Sequence, residues 1–196
     1  MFHEIPEVMQ KRMAYLEERD MQDRTDGTEK MQRLRQIPPE TGKFIALLAA
    51  CCPEGNFIEI GTSAGYSSMW ISLGLGQRPE KLRTYELLPE KARMAKETFT
   101  LAGISDKIDL REGDFLQLHG EVDRIAFCFL DCEKDLYEKC FDVVSRKMVR
   151  GGLLIADNAI DHYEFIKGMM MKAEKDDRFD CLTVPIGKGE FICRRK

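Results

Sequence analysis

The stretch Asn56-Phe57-Ile58-Glu59-Ile60-Gly61-Thr62-Ser63-Ala64-Gly65-Tyr66-Ser67 decides how the rest of the chain is read. Its first part is a short apolar run suited to a buried strand, and its end opens a helical pattern over Tyr66–Leu75. Between them stand Gly61 and Gly65, which let the backbone turn tightly and approach a ligand, with a helix N-terminus behind. The spacing is neither Gly-x-Gly-x-x-Gly nor the phosphate loop Gly-x-x-x-x-Gly-Lys-Ser/Thr, which counts against dinucleotide and nucleoside triphosphate sites. A tight strand-to-helix turn accounts for the same two glycines without any ligand.

The alternation continues downstream. Lys81–Glu86, Lys107–Arg111, Arg124–Asp131 and Leu153–Asp157 read as strands, and Pro89–Ala102, Lys134–Met148 and Ile160–Lys175 as helices. Arg150-Gly151-Gly152 stops the helix before Leu153, and Phe179–Val184 with Glu190–Arg194 forms a hairpin around Gly187-Lys188-Gly189. Upstream, Ile5, Val8, Met9, Met13 and Leu16 share one helical face, and Thr25-Asp26-Gly27 breaks that helix. A shorter helical stretch then runs to Arg35, and Pro39 opens a helix through Ala50. Strands alternating with helices predict an α/β fold: a doubly wound, mostly parallel seven-stranded sheet ending in an antiparallel hairpin. Residues 1–196 form one domain, with 1–36 a helical N-terminal arm and 37–196 the core.

Composition narrows the function classes. The 196 residues carry 30 Lys and Arg against 34 Asp and Glu, a net charge of −4, with 43% hydrophobic residues. That is a globular balance, and a mildly acidic chain of mixed charge argues against a sequence-independent nucleic-acid binder. The longest apolar run, Phe44–Cys52, is far short of the ~20 residues a membrane span needs. The start, Met1-Phe2-His3-Glu4-Ile5-Pro6-Glu7, has neither a basic nor an apolar leader region, so the expectation is a soluble, cytoplasmic protein. Seven cysteines, several inside apolar runs, read as reduced thiols, and the lack of a Cys-x-x-Cys pair argues against structural zinc.

In such a sheet, ligands bind at the carboxyl ends of the strands. The second strand ends at Glu86, where an acid can accept hydrogen bonds from both hydroxyls of a ribose; a solvated capping glutamate before Pro89 is the plainer alternative. Gly113-Asp114-Phe115 follows the third strand, where a carboxylate and a ring can meet a purine, or where Asp114 is only an N-cap. The fourth and fifth strands end at Asp131 and at Asp157-Asn158. These ends are neighbours in the inferred topology, and two carboxylates with an amide oxygen are hard donors suited to Mg²⁺, although a strand running into an Asp-Asn turn is also common without any metal. Lys134 stands at a helix start, where the dipole disfavours a cation. That placement points to a specific role, with an ordinary surface lysine as the alternative.

Glu59-Ile60-Gly61-Thr62-Ser63-Ala64-Gly65-Tyr66-Ser67, Tyr85-Glu86, Gly113-Asp114, Leu130-Asp131-x-x-Lys134-x-x-Tyr137 and Gly151-Gly152-Leu153-x-x-Ala156-Asp157-Asn158 keep their order and approximate spacing from Ile37 to the C-terminus. Together they resemble the catechol O-methyltransferase type of class I S-adenosylmethionine (SAM) methyltransferases, which have a Rossmann-like fold. The resemblance implies that Glu59, Gly61, Ser63 and Ser67 surround the methionine half of SAM, with Ile37 adding backbone contacts. Glu86 would bind the ribose, and Asp114 and Phe115 would frame the adenine. Asp131, Asp157 and Asn158 would hold Mg²⁺, with Asp131 also touching the cofactor and serving catalysis, and Lys134 would be the general base. A homodimer acting on a small hydroxylated molecule, a phenol or vicinal diol, is the family expectation.

The chain also departs from that pattern. After Asn158 comes Ala159-Ile160-Asp161-His162 in place of a longer Trp- and Gly-containing loop. Pro185-Ile186-Gly187-Lys188 stands where catechol enzymes place a carboxylate for the second hydroxyl, and Cys132 replaces a bulky residue. A methyltransferase acting on RNA or protein is one alternative, disfavoured because Asp131-Cys132-Glu133-Lys134 is not the Asp/Asn-Pro-Pro-aromatic turn of base methylation. A non-catalytic SAM-binding module is the other.

Overall fold

Ile125–Leu130 is apolar and buried at all six positions. A strand with no polar face needs cover on both sides, which makes it a central strand. The computed structural model, describing residues 1–196, places it there as β4. The sheet runs β3 (Ile108–Glu112), β2 (Leu82–Glu86), β1 (Asn56–Ile60), β4, β5 (Met148–Ala156), β7 (Glu190–Arg195), β6 (Phe179–Val184). Every pairing is parallel except those of β7, which runs antiparallel to both β5 and β6. The strand order reverses between β1 and β4, so the crossovers leave in opposite directions there and open a crevice at the carboxyl ends.

Side chains alternate along each strand, which divides the core into two layers. Phe57, Phe127, Phe129 and Ile155 pack under α1 (Glu7–Asp23), α2 (Pro39–Ala50), α3 (Tyr66–Leu75) and α4 (Pro89–Leu101). Ile58, Ile60, Cys128, Leu130 and Leu154 face the other way, under α5 (Phe115–Leu118), α6 (Tyr137–Lys147) and α7 (Tyr163–Lys175). Each large apolar side chain removed from water contributes about 1.5–3 kcal/mol.

Four local expectations change. The helical stretch before Arg35 is absent; residues 24–38 are turns and extended chain, because their backbone groups bond to side chains elsewhere. Strand β5 starts at Met148 and absorbs Arg150-Gly151-Gly152, with an irregular register against β4 taking up the extra residues. Helix α6 is preceded by a 3₁₀ turn over Lys134–Leu136. Helix α7 starts at Tyr163, after a turn in which the amides of Ala159, Ile160 and Asp161 donate to the carbonyls of Gly189 and Lys188.

Candidate active site

The carboxyl ends of β1 and β4 approach so closely that only glycine fits between them. Gly61 has φ +104°, and a Cβ there would lie 2.2 Å from the Asp131 carbonyl oxygen. The Asp131 amide donates to Ile60 O at 3.0 Å and the Asp157 amide to Leu130 O at 3.1 Å, which pins the acidic strand ends in line. Beyond Gly61 the chain turns through Ser63, itself at φ +48°. The Ser63 amide donates to Glu86 Oε2 at 2.7 Å, and the Leu88 amide donates to Glu86 Oε1 at 2.9 Å. Glu86 is thus an ordered, buried acid at the cleft wall rather than a solvated cap. Asp114 does cap α5, accepting from the Leu116 amide at 2.9 Å, and it also lines the cleft. Phe115 meets the Tyr85 ring edge-on at 5.0 Å.

Glu59 departs from its expected place. It points into the α3 layer, is fully buried and does not line the cleft. Its Oε1 accepts from Ser67 Oγ at 2.5 Å, and its Oε2 accepts from Ser68 Oγ and from Thr84 Oγ1 at 2.6 Å. Burial pushes its carboxyl up to about 7, although the three hydroxyls pull the other way. Ser67 does line the cleft, so Glu59 acts behind it, fixing that hydroxyl and the start of α3.

The residues between α1 and α2 form a strap over the cleft. Asp23 Oδ2 accepts from the Leu34 amide at 3.2 Å, and Asp20 Oδ1 from the Gln36 amide at 3.0 Å. Ser63 Oγ donates to Leu34 O at 2.9 Å, and Lys91 Nζ to Arg33 O at 3.0 Å. Arg35 pairs with Glu133 at 2.5 Å, crossing to the β4 side. These tethers bring Ile37 into the lining. A signal for the strap was present in the sequence: Met9, Met13, Leu16, Asp20 and Asp23 follow a 4-3-4-3 spacing, which puts two acids on the apolar face of α1.

At the other end of the cleft, Lys134 Nζ donates to Asp131 Oδ1 at 2.9 Å, Tyr137 Oη at 2.7 Å and Cys132 O at 3.3 Å. Asn158 lines the cleft in the left-handed region at φ +69°, and its amide donates to Asp157 Oδ1 at 2.7 Å. Asp157 lies just behind, 1% exposed. Glu190 is a third acid here that sequence reasoning missed. It is fully buried, accepts from Thr41 Oγ1 at 3.3 Å, and its Oε2 has no partner. Burial, then the neighbouring Asp131 carboxylate, pushes the Asp157 carboxyl up; burial, then Asp157 and Asp131, pushes that of Glu190 up. No three His, Cys, Asp or Glu side chains are arranged as a metal cage; the candidate donors are two carboxylates and one amide oxygen.

A family profile described as O-methyltransferase matches residues 10–196. The chain belongs to the O-methyltransferase family. It is 33% identical over 132 residues to a catechol O-methyltransferase of Niastella koreensis, covering 63% of this chain and 58% of that protein. It is 28% identical over 146 residues to a catechol O-methyltransferase of Mycobacterium tuberculosis, covering 72% of this chain and 62% of the relative. The matched region thus spans about six-tenths of the length of these relatives. The crystal structure of an O-methyltransferase from Bacillus cereus in complex with SAH superposes with a TM-score of 0.80 at 21% identity, covering 95% of this chain and 91% of that one. That likeness establishes the Rossmann-like fold.

In this family member, Ile37, Gly61, Ser63, Ser67, Glu86, Asp114, Phe115, Asp131, Lys134 and Asn158 all line one cleft of about 390 Å³. Glu59 and Asp157 stand behind its wall.

Proposed function

We propose that the protein is a SAM-dependent O-methyltransferase acting on a hydroxyl of a small phenolic or vicinal-diol molecule, aided by a divalent cation, Mg²⁺ by its donor set. The observation that carries this reading is one cleft with an ordered ribose-type acid at one end and an acid–lysine–amide cluster at the other. The strap over the cleft favours a small acceptor rather than a polymer.

SAM supplies an electrophilic methyl group and departs as a thioether, and a divalent cation supplies Lewis acidity that lowers the pKa of a bound hydroxyl. The chain's own residues do the rest. Glu86 keeps lone pairs free beside its two backbone donors, so it can accept from both ribose hydroxyls. Ser67 and the Ser63–Gly65 turn offer polar contacts to the methionine end, with the N-terminus of α3 behind them. Asp114 and Phe115 border the adenine end. Asp131, Asp157 and Asn158 offer the hard oxygens a divalent cation takes, and the Asp131 carboxylate beside the buried Asp157 favours an added positive charge there. Lys134 is fixed by three acceptors, so once deprotonated its Nζ lone pair has a defined position to receive the hydroxyl proton.

Calorimetric titration with SAM, followed by methyl transfer to a panel of catechols with Mg²⁺ or with EDTA, tests this reading. Micromolar SAM binding that falls at least tenfold in Glu86→Ala is expected, since charge-assisted hydrogen bonds are each worth about 1.5–3 kcal/mol. Turnover should vanish in EDTA and return with Mg²⁺. Full turnover in EDTA refutes the metal assignment; absence of SAM binding refutes the whole reading.

A further inference from the structure

Four segments far apart in sequence bring cationic or basic groups to the acceptor end of the cleft: Lys30 from the strap, Lys134 after β4, His162 before α7, and Lys188 from the β6–β7 turn. Lys134 is neutralised by Asp131. The ammonium groups of Lys30 and Lys188 have no carboxylate within 4.0 Å, in a chain whose net charge is −4. Asp157 is close enough for Lys188 to act on it electrostatically, but its carboxylate is buried and turned to the Asn158 amide.

Lys188 is held in place by its backbone. Its carbonyl accepts from the amides of Ile160 and Asp161, both at 3.1 Å, and Gly189 O accepts from the Ala159 amide at 2.8 Å. Gly189 sits at φ +92°, and a Cβ there would lie 2.5 Å from Ile160 Cγ1. The turn is therefore locked against the residues that follow Asn158, and Lys188 stands at the same end of the cleft as the candidate donors. A second observation points the same way. His162 Nδ1 is shielded from solvent and has no hydrogen-bond partner.

We propose that the acceptor carries an anionic group, a carboxylate on the hydroxylated ring or its side chain, and that Lys188 selects it. An unpaired, positioned cation in a cleft with low-dielectric walls attracts an anion more strongly than a solvated surface lysine does. The selection of an acid stands on the cleft's charge; that the bound acid is then methylated rests on the function proposed above.

The probes are 3,4-dihydroxybenzoate and 3,4-dihydroxybenzyl alcohol, which share a ring and differ in charge. With SAM and Mg²⁺, kcat/KM for the acid should exceed that for the alcohol by about tenfold, equivalent to about 1.4 kcal/mol. The ratio should fall toward one in Lys188→Met, survive in Lys188→Arg, and shrink as ionic strength rises. A merely structural lysine would change both substrates alike. Equal or better use of the alcohol by the wild type overturns the inference, as does an unchanged ratio in a Lys188→Met protein that melts normally. If neither compound is methylated, the phenol reading fails, and calorimetric titration in the presence of SAH decides the inference separately. Binding of the acid that is lost in Lys188→Met sustains anion selection; no binding, or equal binding of the alcohol, refutes it.

Discussion

Glu59 shows how one carboxylate can serve a site it does not touch. Its raised pKa means that the folded state binds a proton more tightly than the unfolded state between about 4.5 and 7. The stability contributed by the protonated form is full below the unfolded value and is lost as pH rises through about 7. Glu59→Gln keeps the shape and removes the charge, so its stability relative to wild type should improve from pH 5.5 to pH 8.5. Urea unfolding at the two pH values checks this; a constant difference would mean that Glu59 is ionised throughout. Lys134 and Asp157 make a second contrast at this scale. Asp157→Ala removes a candidate metal ligand, so turnover lost at low Mg²⁺ should return in part at high Mg²⁺ or with Mn²⁺. Lys134→Ala leaves the ligands in place and should lower the rate about 10²–10⁴-fold, with SAM affinity nearly unchanged and no rescue by metal. A Lys134→Ala enzyme with wild-type rates would transfer the role of base to water or another residue.

At the scale of the element, the strap joins α1 to the end of the cleft proposed for the cofactor. Two α1 carboxylates hold two of its amides, and a serine and a lysine of the core hold two of its carbonyls. Removing Asp23 leaves the Leu34 amide without its partner, at a cost of about 1–3 kcal/mol while that amide remains buried. Asp20→Ala and Asp23→Ala should therefore weaken SAM binding and speed trypsin cleavage after Arg33 and Arg35, and far-UV circular dichroism should remain native. Because the strap covers the cleft proposed to hold the cofactor, SAH should slow the cleavage in wild type. Cleavage rates unaffected by both the variants and SAH would separate the strap from cofactor binding. The sequence pattern led to a short helix in place of this strap. The segment's polar backbone is satisfied by residues up to 58 positions away, which no local propensity reports.

Across the whole molecule, the cleft joins the ends of β1 to β4, the strap and the β6–β7 turn, so a ligand that bridges them should stabilise the fold as a unit. A ligand at a hundredfold its Kd adds about 2.7 kcal/mol to stability. For a chain of this size that corresponds to a rise of roughly 5–10 °C in Tm. SAH should produce such a shift in wild type and a much smaller one in Glu86→Ala, as read by scanning calorimetry. An equal shift in both would remove Glu86 from the ligand contacts.

The sequence alone determined the alternation of strands and helices, the position of the cleft at the strand ends, and the membership of Gly61, Glu86, Asp114, Asp131, Lys134 and Asn158 in it. These follow from hydrophobic periodicity and turn chemistry, which act over a few residues, together with the rule that ligands sit at a topological switch point. Only the tertiary structure decided that Glu59 faces α3 rather than the cleft, that Asp20 and Asp23 tether a strap, and that Glu190 lies beside Asp157. The same holds for the unpaired ammonium of Lys188, which lines the same cleft as Asn158. In each case the role of a charged side chain depends on which partners and how much water it meets, and those partners come from segments that are distant in the chain and adjacent only in the fold.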